Sequence, residues 1–481
     1  MKKIVLFTAL ILLTSIGTTS ASLILDEGWN KTFGGSNSDG TYSGQFGGNN
    51  LVQQTSDGGY IIAGYTNSYG AGKKDIWLIK TDANGNEEWN RTFGGSDDDE
   101  AYSVQQTSDG GYVIAGYTKS FCSGYYDAWL IKTDANGNEV WNKTFGGSDL
   151  DWASSVQQTS DGGYIVAGVV NFRALWLMKT DSSGNVEWSK SFSCGWRTNN
   201  WASSVQQTSD GGYIVAGYGL NTTGYWDWYD AWLIKTDANG NEEWNRTFGC
   251  LYRSSGAHSV QQTSDGGYIV AGWTSCGDGG VLLIKTDSDG NEEWSKIFGI
   301  SSAIPYANSV QQTSDGSYII AGSTLHYSIS GDSDIWIIKT DSSGNKEWNK
   351  KFGGSNEDRG SSVQQTSDGG YIIAGWTNSY GAGQSDVWLI KLAPETMLLP
   401  DLALSPSDIA FSNPNPVANE EITITATIHN EGDADANNIL IQFYDGDPDG
   451  GGTLIGEQVI SSITAGGLAT AQINWIAQEG T

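Results

Sequence analysis

One hexapeptide limits what this chain can fold into more than any other feature. Gln-Gln-Thr-Ser-Asp-Gly recurs with its first Gln at 53, 105, 157, 206, 261, 311 and 364, giving spacings of 52, 52, 49, 55, 50 and 53 residues. A period of about 50 belongs to propeller blades, not to short helical or leucine-rich repeats. The second unit reads as four strands. Ser103 to Thr107 is a short polar strand, and the turn Ser108-Asp109-Gly110-Gly111 leads into Tyr112 to Thr118. After a variable loop come Asp127 to Thr133, the turn Asp134 to Asn138 and a last strand from Glu139 to Phe145. The two middle strands are apolar on both faces, as blades packed between neighbours require.

The fourth-strand Trp stands at 29, 89, 141, 188, 244, 294 and 348, while the last repeat ends on its third strand, Asp386 to Lys391. The missing strand lies at the other end of the chain. Trp29 to Phe33 precedes the first full unit and can pair onto the last blade, removing the open edge of an unclosed ring. The count is therefore seven blades. Turns one-to-two and three-to-four share one face, so the variable loops occupy the other, where function on a rigid scaffold is concentrated.

The 55 Asp and Glu against 25 Lys and Arg leave a net charge of −30, which repels phosphate backbones and anionic headgroups. Nucleic acid and a membrane surface are thus poor partners, and no later stretch reaches the roughly 18 apolar residues of a membrane span. Met1-Lys2-Lys3, the apolar run Ile4 to Ile16 and Thr19-Ser20-Ala21 form the three parts of a secretory leader. No Cys follows the cleavage point, which points away from a bacterial-type lipid anchor. The reading is all-β: leader 1–21, seven-bladed propeller 22–392, linker 393–400 and β-sandwich 401–481. In the sandwich, 421–430, 439–444, 453–460 and 469–475 read as strands.

Two resemblances bear on this reading. Ser-Asp-Gly-Gly-Tyr-Ile-Ile-Ala-Gly and Ile-Lys-Thr-Asp-Ala-Asn-Gly-Asn-Glu-Glu-Trp, over residues 29 to 392, resemble the propeller repeats of exported bacterial and archaeal surface proteins. The hairpin holding Asp82, Gly85 and Trp89 is similar to quinoprotein-type blades, but as a structural device it implies no cofactor. Residues 400 to 476 resemble the cell-adhesion-related CARDB domain in Pro400-Asp-Leu, Ile422-Thr-Ile-Thr-Ala, His429-Asn-Glu-Gly, Phe443 to Gly452 and Trp475. That resemblance implies an immunoglobulin-like sandwich continuing for two more strands, of which this sequence, ending at Thr481, would be a shortened copy.

Chemistry-bearing residues are sparse. His258 and His326, read as loop residues, and His429 in the sandwich cannot build a multi-histidine site. Asp75, Asp127, Asp230, Asp334 and Asp386, two residues before the third-strand Trp, read as loop caps in preference to a carboxylate ring. Asp82 to Asn86 and its copies read as type I turns with a glycine bulge. Asp445, Asp447 and Asp449 match the opening of a calcium loop, although position twelve is Gly456, so calcium and a plain hairpin both stand. Asn30, Asn90, Asn142, Asn221 and Asn245 open glycosylation sequons. Of four cysteines, Cys250 and Cys276 border one another across blade five and are the expected disulfide.

Of 21 Trp, 13 occupy third- and fourth-strand positions, while Trp152, Trp196, Trp201, Trp226 and Trp228 fall in variable loops. Trp152, Trp201 and Tyr306 each stand four residues before an inner-strand Val and are expected to ring one mouth of the channel, with Trp196, Trp226, Trp228 and Arg197 extending the platform. Aromatic rings with a few fixed polar groups suit stacking on sugars or anchoring a protein partner. The sequence thus predicts a secreted or cell-surface, non-catalytic binding or adhesion protein whose partner is a glycan or a surface protein. A glycan hydrolase or lyase, and less so a quinoprotein dehydrogenase, is the competing class.

Overall fold

The computed structural model describes residues 11–15, 22–24, 26–41, 50–193, 200–221, 228–299, 305–324, 333–447 and 451–478. These residues fall into two compact units, Glu27–Pro394 and a second made of Met1–Asp26 with Glu395–Thr481.

The first unit is a seven-bladed propeller of antiparallel sheets, one per repeat. Blade two contains Asp99–Gln106, Tyr112–Thr118, Asp127–Thr133 and Glu139–Phe145. The two middle strands are buried along their whole length, because each apolar face meets a neighbouring blade. The first strand starts at Asp99, earlier than the sequence suggests, with Asp99 buried and accepting from the Thr118 and Ser120 hydroxyls and Glu100 buried against Lys74. Glu27–Phe33 pairs with Asp386–Leu392, Trp29 opposite Lys391 and Phe33 opposite Val387, so the N-terminal strand closes the ring as predicted.

The hexapeptide joins blade to blade. The backbone N–H of the second Gln donates to Oε1 of the first Gln in the preceding blade at 2.5 to 2.6 Å, from Gln106 to Gln53 onward. Gln54 donates to Gln364 at 2.6 Å across the closure. The turn serine joins the same circuit, as when Ser56 N–H donates to Gln106 Oε1 at 2.9 Å. On the outer rim each fourth-strand Trp meets the second-strand Tyr of the next blade edge-on, Trp29 with Tyr60 at 5.8 Å and Trp89 with Tyr112 at 5.8 Å. That indole also covers the turn glycine of the next blade. At Gly85, whose φ is +74°, a Cβ would lie 2.4 Å from the Trp29 ring.

A buried Lys ends every third strand. Lys80 Nζ reaches Asp57 and Glu88 at 2.9 Å each and donates to the Thr81 carbonyl. Burial alone would raise Asp57, but the Thr55 hydroxyl, Lys80 and the Gly59 N–H outweigh it and hold the carboxyl at about 2.

In the second unit, Glu421–Asn430 pairs with Leu402–Ala403, Ile409–Phe411 and Leu468–Ile476. A second sheet pairs Ala436–Asp445 with Thr453–Ile463. The two sheets enclose Ile424, Ile428, Ile439, Ile441 and Phe443. Asn430 ties one corner, its Nδ2 donating to the carbonyls of Ala434 at 2.7 Å and Ile463 at 3.1 Å. Two expectations differ here. The leader's apolar run contributes Ile11–Ser15 as a strand on Ile439 to Phe443, and part of the expected linker, Thr396–Leu398, pairs with Ser22–Ile24. Ile11–Ser15 thereby covers the open edge of the second sheet, while Ser22–Ile24 and Thr396–Leu398 form a two-stranded sheet of their own. Among the described residues no helix is long and apolar enough to cross a membrane.

Candidate functional site

The first strands line the central channel, where a cavity of about 220 Å³ is bounded by the Val and Gln rows, including Val104, Gln105, Val156 and Gln157. Four residues before each Val the strand reaches the variable-loop face. Glu100, Trp152, Trp201, Tyr306 and Arg359 share this position and stand opposite Tyr117, Val169, Tyr218, Ser323 and Trp376 of their second strands. Trp152 is buried, whereas Trp201, Tyr306 and Arg359 are half-buried.

Around this level the aromatics of successive blades touch. Tyr102 meets Tyr117 at 5.7 Å, and Tyr117 meets Tyr126 edge-on at 4.8 Å. Phe172 lies between Trp152 at 6.3 Å and Trp201 at 6.4 Å. Trp201 stacks on Tyr229 at 6.0 Å and meets Tyr218 edge-on at 5.0 Å. Tyr102, Tyr117, Tyr126, Leu150, Trp152 and Phe172 enclose a cavity of about 410 Å³ whose charged lining groups are Lys74 and Glu100. Lys74 Nζ donates to Glu100 Oε1 at 2.6 Å and lies 4.2 Å from the Tyr65 ring centre. Burial works against the charge of Lys74, but Glu100 holds it above the ordinary lysine value. Glu100 Oε2 is buried, and the Tyr117 hydroxyl hydrogen-bonds the same carboxylate. Burial, and then the Glu100 carboxylate, push the Tyr117 hydroxyl well above the usual tyrosine range.

The other candidates distribute as follows. Trp228 belongs to a lengthened third strand, Trp228–Thr236, and is not a loop residue. Trp196, Arg197 and Trp226 lie outside the described residues. Tyr306 lies apart from the aromatic run, beside Arg359, which pairs with Glu357 and stands 5.7 Å from the Trp376 ring centre. His258 is also a strand residue, in Ser255–Gln262. Its Nδ1 lies 2.9 Å from the Ala307 carbonyl, and burial lowers its pKa, keeping it neutral. His326 lies outside the described residues, and His429 contacts Asp408 at 3.1 Å.

Asp75, Asp127 and Asp386 accept the backbone N–H of Ala71, Ser123 and Ala382, each four residues upstream, at 2.6, 3.0 and 2.5 Å. They cap their loops. Asp82 likewise organises its turn, accepting from the N–H of Asn84 and of Asn86. Asn90, in a sequon, accepts from the Trp77 indole and donates to Glu87, a structural use for that residue. Asp445 ends its strand, the Asp447 carbonyl accepts from Gly452 N–H at 2.7 Å, and Asp449 lies outside the described residues. Among the described residues no group of three or more His, Cys, Asp or Glu gathers to hold a metal ion. Cys250 and Cys276 form a disulfide, Cys122 is a free thiol, and Cys194 lies outside the described residues.

Sequence reasoning passed over Lys74, Tyr102, Tyr117 and Phe172, and took Glu100 only as one of the carboxylates, Asp97 to Glu100, that leave a hydrolase open. The signal for Glu100 was present, since it stands four residues before Val104 just as Trp152 stands before Val156. Only the aromatic members of that row stood out.

Residues 399–481 match the CARDB family model. No curated protein matches the chain. Among solved structures it is similar to a protein of unknown function from Dyadobacter fermentans, at 10% identity and a TM-score of 0.47, over 77% of this chain and 99% of that one. It is also similar to Sqt1 from Chaetomium thermophilum, at 12% identity and a TM-score of 0.41, over 82% and 97%.

Proposed function

We propose that this chain, a seven-bladed propeller with a C-terminal CARDB domain, is an exported, non-catalytic binding protein of the cell surface. The propeller would take a glycan or a protein partner on its variable-loop face. One observation carries the reading: the rings of Tyr102, Tyr117, Tyr126, Trp152 and Phe172 line a cavity on that face, and Trp201 and Tyr229 continue the ring contacts beyond Phe172. Aromatic walls offer large apolar area at little entropic cost, with hydroxyl and indole groups to orient a ligand. A CARDB domain and a disulfide agree with an extracellular setting.

Glycan-array binding and protein capture by the wild type, compared with Trp201→Ala and Trp228→Ala, test this. We expect each variant to bind at least about 1 kcal/mol more weakly with an unchanged melting temperature. Lost thermal stability with unaltered binding in both would reject the face as the binding surface.

A further inference from the structure

The aromatic cavity between Leu150 and Phe172 is lined by ring faces and branched carbon, and the polar groups among them are taken up with one another. Lys74 Nζ donates to Glu100 Oε1 at 2.6 Å, and the Tyr117 hydroxyl hydrogen-bonds the same carboxylate. Lys119, paired with Asp98 at 2.9 Å, hydrogen-bonds the Tyr126 hydroxyl. The Lys74–Glu100 pair carries no net charge. A sugar needs its hydroxyls matched by donors and acceptors, and drawing them from this set would strand a buried charge. Water in such a cavity is poorly partnered too, so an apolar group that displaces it gains.

Size and wall geometry specify the group. A cavity of about 150 Å³ holds one benzene ring, so one of about 410 Å³ has room for two fused rings. Its walls already meet edge-on, Tyr117 with Tyr126 at 4.8 Å and Trp152 with Phe172 at 6.3 Å, the arrangement into which a further ring packs. Phe172 holds its place in a conformation that bulky residues rarely adopt. Asn171 and Phe172 have φ of +54° and +57°, and the Phe172 N–H donates to the Leu150 carbonyl at 2.8 Å, which fixes a ring 38% exposed at the cavity rim. We infer that this cavity is the socket for a tryptophan side chain presented by a protein partner, an uncharged two-ring anchor buried against Tyr117, Trp152 and Phe172. The inference rests on the variable-loop face being the binding face, and it chooses the protein over the glycan.

The test is ligand-observed NMR titration of the full chain with N-acetyl-tryptophanamide, N-acetyl-alaninamide, free indole and methyl β-glucoside. The tryptophanamide should bind at least tenfold more tightly than the alaninamide, and the glucoside no more tightly than the alaninamide. Leu150→Trp fills the cavity from its own wall, so it should cost the tryptophanamide at least tenfold without lowering the melting temperature. Equal binding of the two amides, or full tryptophanamide binding by Leu150→Trp, would overturn the inference. If Leu150→Trp unfolds, Phe172→Asn decides: asparagine tolerates the positive φ but removes the wall, so full tryptophanamide binding by that variant overturns the socket instead. Binding of indole without the tryptophanamide would assign the cavity to a free small molecule, and glucoside binding lost on Leu150→Trp would assign it to a glycan; either defeats the protein anchor. No tryptophanamide binding, with capture of a glycan or protein still lost on Trp201→Ala, would defeat the socket alone and leave the binding face standing.

Discussion

Truncating Phe33 should open the ring at its seam. Phe33 is 9% exposed and packs among Val52, Tyr60, Ile62, Trp77, Ile372, Val387 and Leu389, side chains of the first and last blades that no continuous turn joins. Removing a buried phenyl costs about 3–5 kcal/mol, and partial collapse at a sheet edge puts Phe33→Ala near the low end, about 3 kcal/mol. The local loss has a global consequence here. In inner blades the fourth strand is held by a turn from the third, whereas Glu27–Phe33 is held to Asp386–Leu392 by strand pairing and side-chain packing. Calorimetry should show a melting temperature lowered by roughly 5 °C, since a domain of this size moves by about 1–2 °C per kcal/mol. Hydrogen exchange should show protection lost first in the 387–392 strand. Val140→Ala, at a fourth-strand position 60% exposed, serves as the control and should change little. The closure account would be refuted if Phe33→Ala melted with that control, or if the 387–392 amides stayed as protected as those of an inner third strand.

Acid should erode the propeller within a defined window. Asp57, Asp109, Asp161, Asp210, Asp265 and Asp315 sit at about 2 against an ordinary 3.8. Their stabilisation is therefore complete above pH 3.8 and lost as pH falls toward 2. These side chains are more than half exposed, so solvent screening limits each to under about 1 kcal/mol, roughly 3 kcal/mol together. Melting temperature against pH should fall below pH 4, and Asp57→Asn should reduce that slope; a flat profile from pH 5 to 2 would contradict it. Gln157→Leu should strand the Gln207 N–H, which now donates to it at 2.6 Å, and cost about 1–3 kcal/mol in urea unfolding. A neutral result would mean that the glutamine circuit adds no stability.

Most of the architecture is visible in the letters, because a repeat that must pack against copies of itself restates its constraints seven times. The period gives the blade, the displaced Trp29 gives the closure, and Asp-Ala-Asn-Gly-Asn gives a turn whose glycine adopts a positive φ. All of these are local in sequence or periodic along it. The Gln-Gln pair was legible as a marker but not as a fastener, since its partner lies a whole blade away and for Gln54 is Gln364.

The candidate site was only half legible for the same reason. Trp152 and Trp201 stand out as bulky residues off the repeat's frame, but Glu100 is one of several carboxylates in the run Asp97 to Glu100, which by spacing alone only leave a hydrolase open. It becomes a buried wall of a cavity because folding brings Lys74 from blade one, Tyr117 from blade two and Phe172 from blade three around it. The sequence by itself thus determined the number of blades, the seam and the face that varies, all consequences of local propensity and periodic burial. Which variable residues meet depends on side chains tens of residues apart whose distances are set only when the ring closes.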